Sequence, residues 1–91
     1  MTVRYAGRAA GRVQGVGFRA FVERTAREMG FTGWVQNMPD GSVTMEVQGD
    51  EADFPALTAQ IEAGNDWIEV RTLTWAPRPC VMDERAFTIR R

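Results

Sequence analysis

Between Arg12 and Phe21 the hydrophobic period of the chain changes, and it changes across two glycines, Gly15 and Gly17. Upstream, Val3, Tyr5, Gly7, Ala9, Gly11 and Val13 alternate with Arg4, Arg8 and Arg12, the period of a half-buried strand whose arginines line a solvated face. Downstream, Phe18, Phe21, Val22, Ala26 and Met29 form one helical stripe, with Glu23/Arg27 and Arg24/Glu28 as i,i+4 pairs on the outside. The helix starts near Phe18 or Arg19, and Gly30 is placed to end it. The strand after such a helix is reached by a crossover and not a hairpin, so it runs parallel to the first.

The remaining elements follow from the same periodicities. Residues 31 to 38 read as a second strand, and Pro39-Asp40-Gly41 as a turn. Residues 42 to 48 alternate with Val43, Met45 and Val47 inward, so the two strands form a hairpin. Phe54, Leu57 and Ile61 carry a second helical stripe that Gly64 stops; Pro55 requires a first-turn position, which makes Asp53 the expected N-cap. Residues 67 to 75 and 86 to 89 are β-like, separated by the Pro77/Pro79 segment. The order β-α-β-β-α-β, with room for one short extra strand, predicts an α+β ferredoxin-like βαββαβ sandwich. It has an antiparallel sheet with two helices on one face, in a single domain over residues 1–91.

What the chain lacks restricts its chemistry. It has 91 residues, a formal charge of −1, one cysteine (Cys80) and no histidine. A histidine-based triad, histidine-ligated metals, an internal disulfide and a multi-thiolate metal site are therefore excluded. Ser42, the only serine, has no base partner apparent from its sequence neighbourhood. Cys80 lies beside Pro79, with no basic neighbour closer than Arg78, and reads as inert. Near-neutral charge offers no global field for nucleic acid or anionic lipid. With neither an apolar N-terminal run nor an apolar stretch of about 18 residues, a cytoplasmic protein without membrane contact is expected.

Any anion site must then be local, and the glycine junction is the candidate; its spacing alone equally fits a plain strand-to-helix turn that needs glycine, with Arg19 a solvated first-turn residue. Gly15 and Gly17 let the backbone take positive φ and turn successive N–H groups inward, while the helix start adds unpaired first-turn amides and the positive end of its dipole. Arg19 brings a planar guanidinium that matches two oxygens of a phosphoryl group. Gly15-x-Gly17-x-x-Ala20 formally fits a dinucleotide fingerprint, but the chain is too short for that parallel sheet. A nucleotide P-loop needs a lysine, and there is none. Asn37 lies near the end of the second strand, on the edge where the glycine loop lies; either it simply starts the hairpin turn, or its amide reaches what the loop holds and orients a water. This equipment suits phosphoryl transfer to water. Without a general acid the leaving group must depart unaided, which a carboxylate with pKa near ~4 can do. A mixed carboxylic–phosphoric anhydride is the substrate class that follows.

The residues Gly11-x-Val13-Gln14-Gly15-Val16-x-Phe18-Arg19, Gly33-Trp34-Val35-Gln36-Asn37 and Asp40-Gly41-x-Val43 resemble the acylphosphatase family, with a looser match through to Phe87-x-Ile89. The resemblance implies metal-free, cofactor-free hydrolysis of acyl phosphates to carboxylate and inorganic phosphate. Phosphate would be both product and inhibitor. It further implies that Arg19 binds the phosphoryl group, that Asn37 holds the attacking water, and that Gln14, Gly15, Val16, Gly17 and Phe18 supply the backbone cradle. A small-molecule acyl phosphate is the expected partner, and a monomer the expected state. Two positions depart from the family pattern: Gly17, where an aromatic residue is frequent, and Gly64-Asn65, where Gly-Pro is common.

Two other readings share the fold. A non-catalytic anion-binding or regulatory module would bind phosphate without turnover. An RNA-binding domain of the ferredoxin-like type would stack bases on sheet aromatics, for which Trp34, Trp67 and Trp75 are candidates. The missing RNA-recognition motif and the slight negative charge speak against the latter.

Overall fold

The computed structural model describes residues 1–91. Strand β1 (Thr2–Arg12) leads through the glycine loop into helix α1 (Phe18–Glu28). Strands β2 (Thr32–Asn37) and β3 (Val43–Asp50) form the expected hairpin, and a 3₁₀ turn (Glu51–Asp53) precedes helix α2 (Phe54–Ala63). Strands β4 (Glu69–Arg78) and β5 (Phe87–Arg90) complete the chain. The five strands lie in the order β4-β1-β3-β2-β5, and the fold is ferredoxin-like.

Three pairings in the sheet are antiparallel, but β5 pairs parallel with β2, so the sheet is mixed. That corrects the all-antiparallel expectation, and it has a simple cause. The short strand arrives after the long connection 79–86, which crosses to the far side of the sheet and carries β5 in alongside β2. β1 and β2 are both antiparallel to β3, and hence parallel to each other as expected.

Val22 and Ala26 of α1 and Leu57 and Ile61 of α2 are fully buried, together with Ala9, Val35, Val43, Met45 and Val47 from the inner face of the sheet. Tyr5, Phe54 and Trp75 close the α2 end, with Tyr5 stacked on Phe54 at 4.3 Å between ring centres and Trp75 edge-on to both. Outside α1, Arg27 pairs with Glu23 at 3.3 Å and also donates to the Phe87 carbonyl, whereas Arg24 lies over the Phe21 ring instead of pairing with Glu28.

Local readings change in four places. Arg4 does not face solvent: it is 4% exposed, held by Glu46 at 2.7 Å and by Glu84 at 2.8 Å under the 79–86 connection. Burial disfavours its charge, and the two carboxylates outweigh that cost and raise its pKa. A register shift between Ala10 and Gly11 ends the strict alternation of β1. Asp53 makes no side-chain cap to α2; Asp50 instead accepts from the Ala52 amide at 2.9 Å and caps the 3₁₀ turn. β4 runs on through Pro77, which an edge strand tolerates because the missing N–H is not needed by a neighbour.

Candidate active site

The end of β1, the glycine loop, the first turn of α1 and the end of β2 converge on one cavity of about 180 Å³. Gly15 and Gly17 sit at φ 74° and 79°, the left-handed conformation, with nothing within 4 Å of where a Cβ would stand. Phe18, 1% exposed, anchors the helix start in the core. The first bond of α1 runs from the Phe21 N–H to the Gly17 carbonyl at 3.0 Å. No N–H from Gly15 to Ala20 donates within the protein. With no acidic residue in the first turn and no side-chain cap, the positive end of the helix is uncompensated.

Gly15, Gly17, Phe18, Arg19 and Asn37 all line this cavity. Arg19 is half-buried, makes no salt bridge with any carboxylate, and donates from Nη1 to the Arg90 carbonyl at 3.3 Å. Asn37 closes β2 opposite Val43, and its side-chain oxygen Oδ1 is buried without a hydrogen-bond partner. A buried carbonyl oxygen without a donor is uncommon and invites a ligand hydrogen.

Gln14 and Val16 do not line the cavity. Val16 packs against the core. The Gln14 side chain turns away, donating from Nε2 to the Met38 carbonyl at 2.8 Å and the Ser42 carbonyl at 2.9 Å. Ser42 is buried and does have a partner: its hydroxyl donates to Asp40 at 2.6 Å, as does its amide at 2.9 Å. Those bonds, with one from Arg8, hold the Asp40 carboxyl down to about 2, so Asp40 is no base.

Ile89 within β5 and Arg91 just after it, neither proposed as a site residue from sequence, complete the lining. Only the Phe87-x-Ile89 spacing hinted at this wall, because the position of β5 depends on a long-range parallel pairing. Arg90 in turn stacks its guanidinium over Trp34, 4.3 Å from the ring centre. The three tryptophans share no face: Trp34 lies on the outer face of the sheet, Trp75 packs toward α2, and Trp67 is exposed in the loop before β4. A larger, shallower hollow of about 420 Å³ lies on the outer face near Ala6, Arg8 and Trp34, remote from the loop amides.

The acylphosphatase family profile matches residues 5–89 of the chain. The chain belongs to the acylphosphatase family. It is 47% identical over 79 residues to an acylphosphatase of Geobacillus kaustophilus, covering 87% of this chain and 84% of that one. It is 38% identical over 88 residues to an acylphosphatase of Clostridium beijerinckii, covering 97% and 98%. Among solved structures, the crystal structure of acylphosphatase from Bacillus subtilis superposes with a TM-score of 0.91 at 30% identity over the full length of both chains. Membership makes the chain an enzyme of acylphosphatase type, and the cavity at the glycine loop is where its fold gathers free amides, a guanidinium and an orphaned carboxamide.

Proposed function

We propose that the chain hydrolyses acyl phosphates by direct attack of a water held by Asn37 on a phosphoryl group gripped by Arg19 and the amides of the glycine loop. The observation that carries this reading is the shared cavity, which Arg19, Asn37, Gly15 and Gly17 line together. Phosphoryl oxygens accept from the unpaired loop N–H groups and from the Arg19 guanidinium, which is free of any carboxylate side chain. The Asn37 Oδ1, without a partner inside the protein, accepts from the water. The water oxygen forms a bond to phosphorus as the bond between phosphorus and the acyl oxygen breaks. The electron pair leaves with the carboxylate, which needs no proton because its acid has a pKa near ~4. No histidine, aspartate or glutamate side chain lines the cavity, so a proton of the attacking water passes to a phosphoryl oxygen. Catalysis is then positioning and charge stabilisation, the contributions that dominate phosphoryl transfer.

Similarity to the Clostridium beijerinckii acylphosphatase over 97% of this chain and 98% of that one supports turnover over a regulatory module without it. Release of inorganic phosphate from benzoyl phosphate by the purified chain, inhibited competitively by added phosphate, is the result expected. Phosphate binding with no release from the acyl phosphate would favour the module instead.

A further inference from the structure

The two strand ends that bring the site together are not neighbours in the sheet, since β3 lies between β1 and β2. The β1–β3 ladder ends at Ala9 opposite Val43, and the β2–β3 ladder ends at Asn37 opposite the same Val43. Beyond that point no backbone hydrogen bond joins residues 13–18 to residues 37–42. The two bonds from Gln14 Nε2, to the carbonyls of Met38 and Ser42, are the only hydrogen bonds that do.

We infer that Gln14 is a positioning residue that fixes the Asn37 carboxamide relative to the glycine loop. The inference rests on the proposed roles of Arg19 and Asn37. The two carbonyls flank the turn that begins immediately after Asn37. Each already serves that turn: Met38 O accepts from the Gly41 N–H at 3.1 Å, and Ser42 O from the Met38 N–H at 2.9 Å. The NH₂ group of Gln14 spends one hydrogen on each and so spans the mouth of the turn. A neutral side chain with two hydrogens on one nitrogen is a carboxamide, and Asn is one methylene shorter. The remaining polar link nearby, Arg8 to Asp40 at 3.1 Å, is an exposed ion pair and holds little. A displacement of about 1 Å between a phosphorus centre and its water costs on the order of 10²-fold in rate, so this clamp acts on turnover without touching the substrate.

The test is steady-state hydrolysis of benzoyl phosphate by Gln14→Met, which keeps length and volume but removes both donors, and by Gln14→Glu. In Gln14→Met, kcat should fall by roughly tenfold to a hundredfold while the inhibition constant of inorganic phosphate stays within about twofold. In Gln14→Glu the ionised carboxylate repels both carbonyls, whereas the protonated acid donates to one of them. Its kcat relative to the parent at each pH should therefore rise as pH falls through the titration of the new carboxyl. Unchanged kcat in a folded Gln14→Met, an equal loss of kcat and phosphate affinity, or a Gln14→Glu profile parallel to the parent would each overturn the inference. Arg19→Ala and Asn37→Ala are assayed alongside. If either retains parent activity, the underlying reading fails. If both are inactive while the Gln14 variants behave as parent, the clamp alone fails.

Discussion

Arg19, in the first turn of α1, and Asn37, the last residue of β2, line the same cavity although the rest of α1 and nearly all of β2 lie between them in the chain. The parallel crossover brings this about, because it returns the end of β2 to the edge from which α1 departs. A cation and a carboxamide then face one small volume that no acidic side chain lines.

Removing the cation should abolish binding and turnover together. Arg19→Ala is expected to lower kcat/KM by on the order of 10²–10³ and to weaken competitive inhibition by phosphate in parallel. Arg19→Lys should recover little, since a point charge does not replace the planar fork. Benzoyl phosphate kinetics with phosphate as competitor report both quantities.

Asn37→Ala separates the two. Turnover should fall by on the order of 10² or more, with phosphate inhibition largely kept, because the amides and Arg19 remain. A parallel loss of phosphate affinity would place Asn37 on the phosphate instead of the water.

The loop conformation has its own signature. At Gly17 an added Cβ meets nothing within 4 Å, so the penalty for a side chain is purely torsional, at φ 79°. Gly17→Ala should lose about 1–2 kcal/mol of unfolding free energy. Gly17→Asn should lose less, since Asn tolerates the left-handed region. Urea titration of the three proteins distinguishes strain from lost contacts.

Acid should weaken the protein through Asp40 and Glu84. Bonds from the Ser42 hydroxyl and amide, and from Arg8, hold Asp40 at about 2, against an unperturbed 3.8. Burial works against the charge of Glu84, but the bonds from Arg4 and Thr32 outweigh it and lower its pKa from 4.5. Carboxyls depressed in the folded state stabilise it above their unfolded pKa and lose that contribution as pH falls through the folded one. Stability should thus hold from neutrality to about pH 5 and decline toward pH 2. Glu84→Gln should be less stable than the parent at neutrality and decline less steeply in acid. Urea midpoints across the pH series supply the test.

Turnover should show no titration of a protein group near neutrality. The only ionisable side chains lining the cavity are the arginines Arg19 and Arg91. With no histidine and no acidic side chain in the lining, kcat is expected to stay flat between about pH 6 and 8.

Most of the architecture was legible because it is written in short-range period. The stripe Phe18, Val22, Ala26 is buried as expected, and the alternation of Val43, Met45 and Val47 sets the inner face of β3. The glycine loop, Arg19 and Asn37 were visible as residue types at a strand-to-helix junction and a strand end. What escaped depends on partners distant in sequence. Arg4 looks like any outward arginine until Glu84, carried in by the 79–86 connection, covers it. Gln14 looks like part of the loop until Met38 and Ser42 arrive beside it. The extension of β4 through Pro77 could be judged only once β4 was known to be an edge.

The two chain ends are not equivalent places to attach anything. Arg91 lines the cavity at the glycine loop, and the Arg90 carbonyl accepts from the Arg19 guanidinium. A reporter or affinity handle fused directly after Arg91 therefore begins beside the proposed phosphate site. Met1, tied by its carbonyl to the Glu51 amide, lies at the other end of β1, about 30 Å away along the strand. Handles for immobilisation or display belong there.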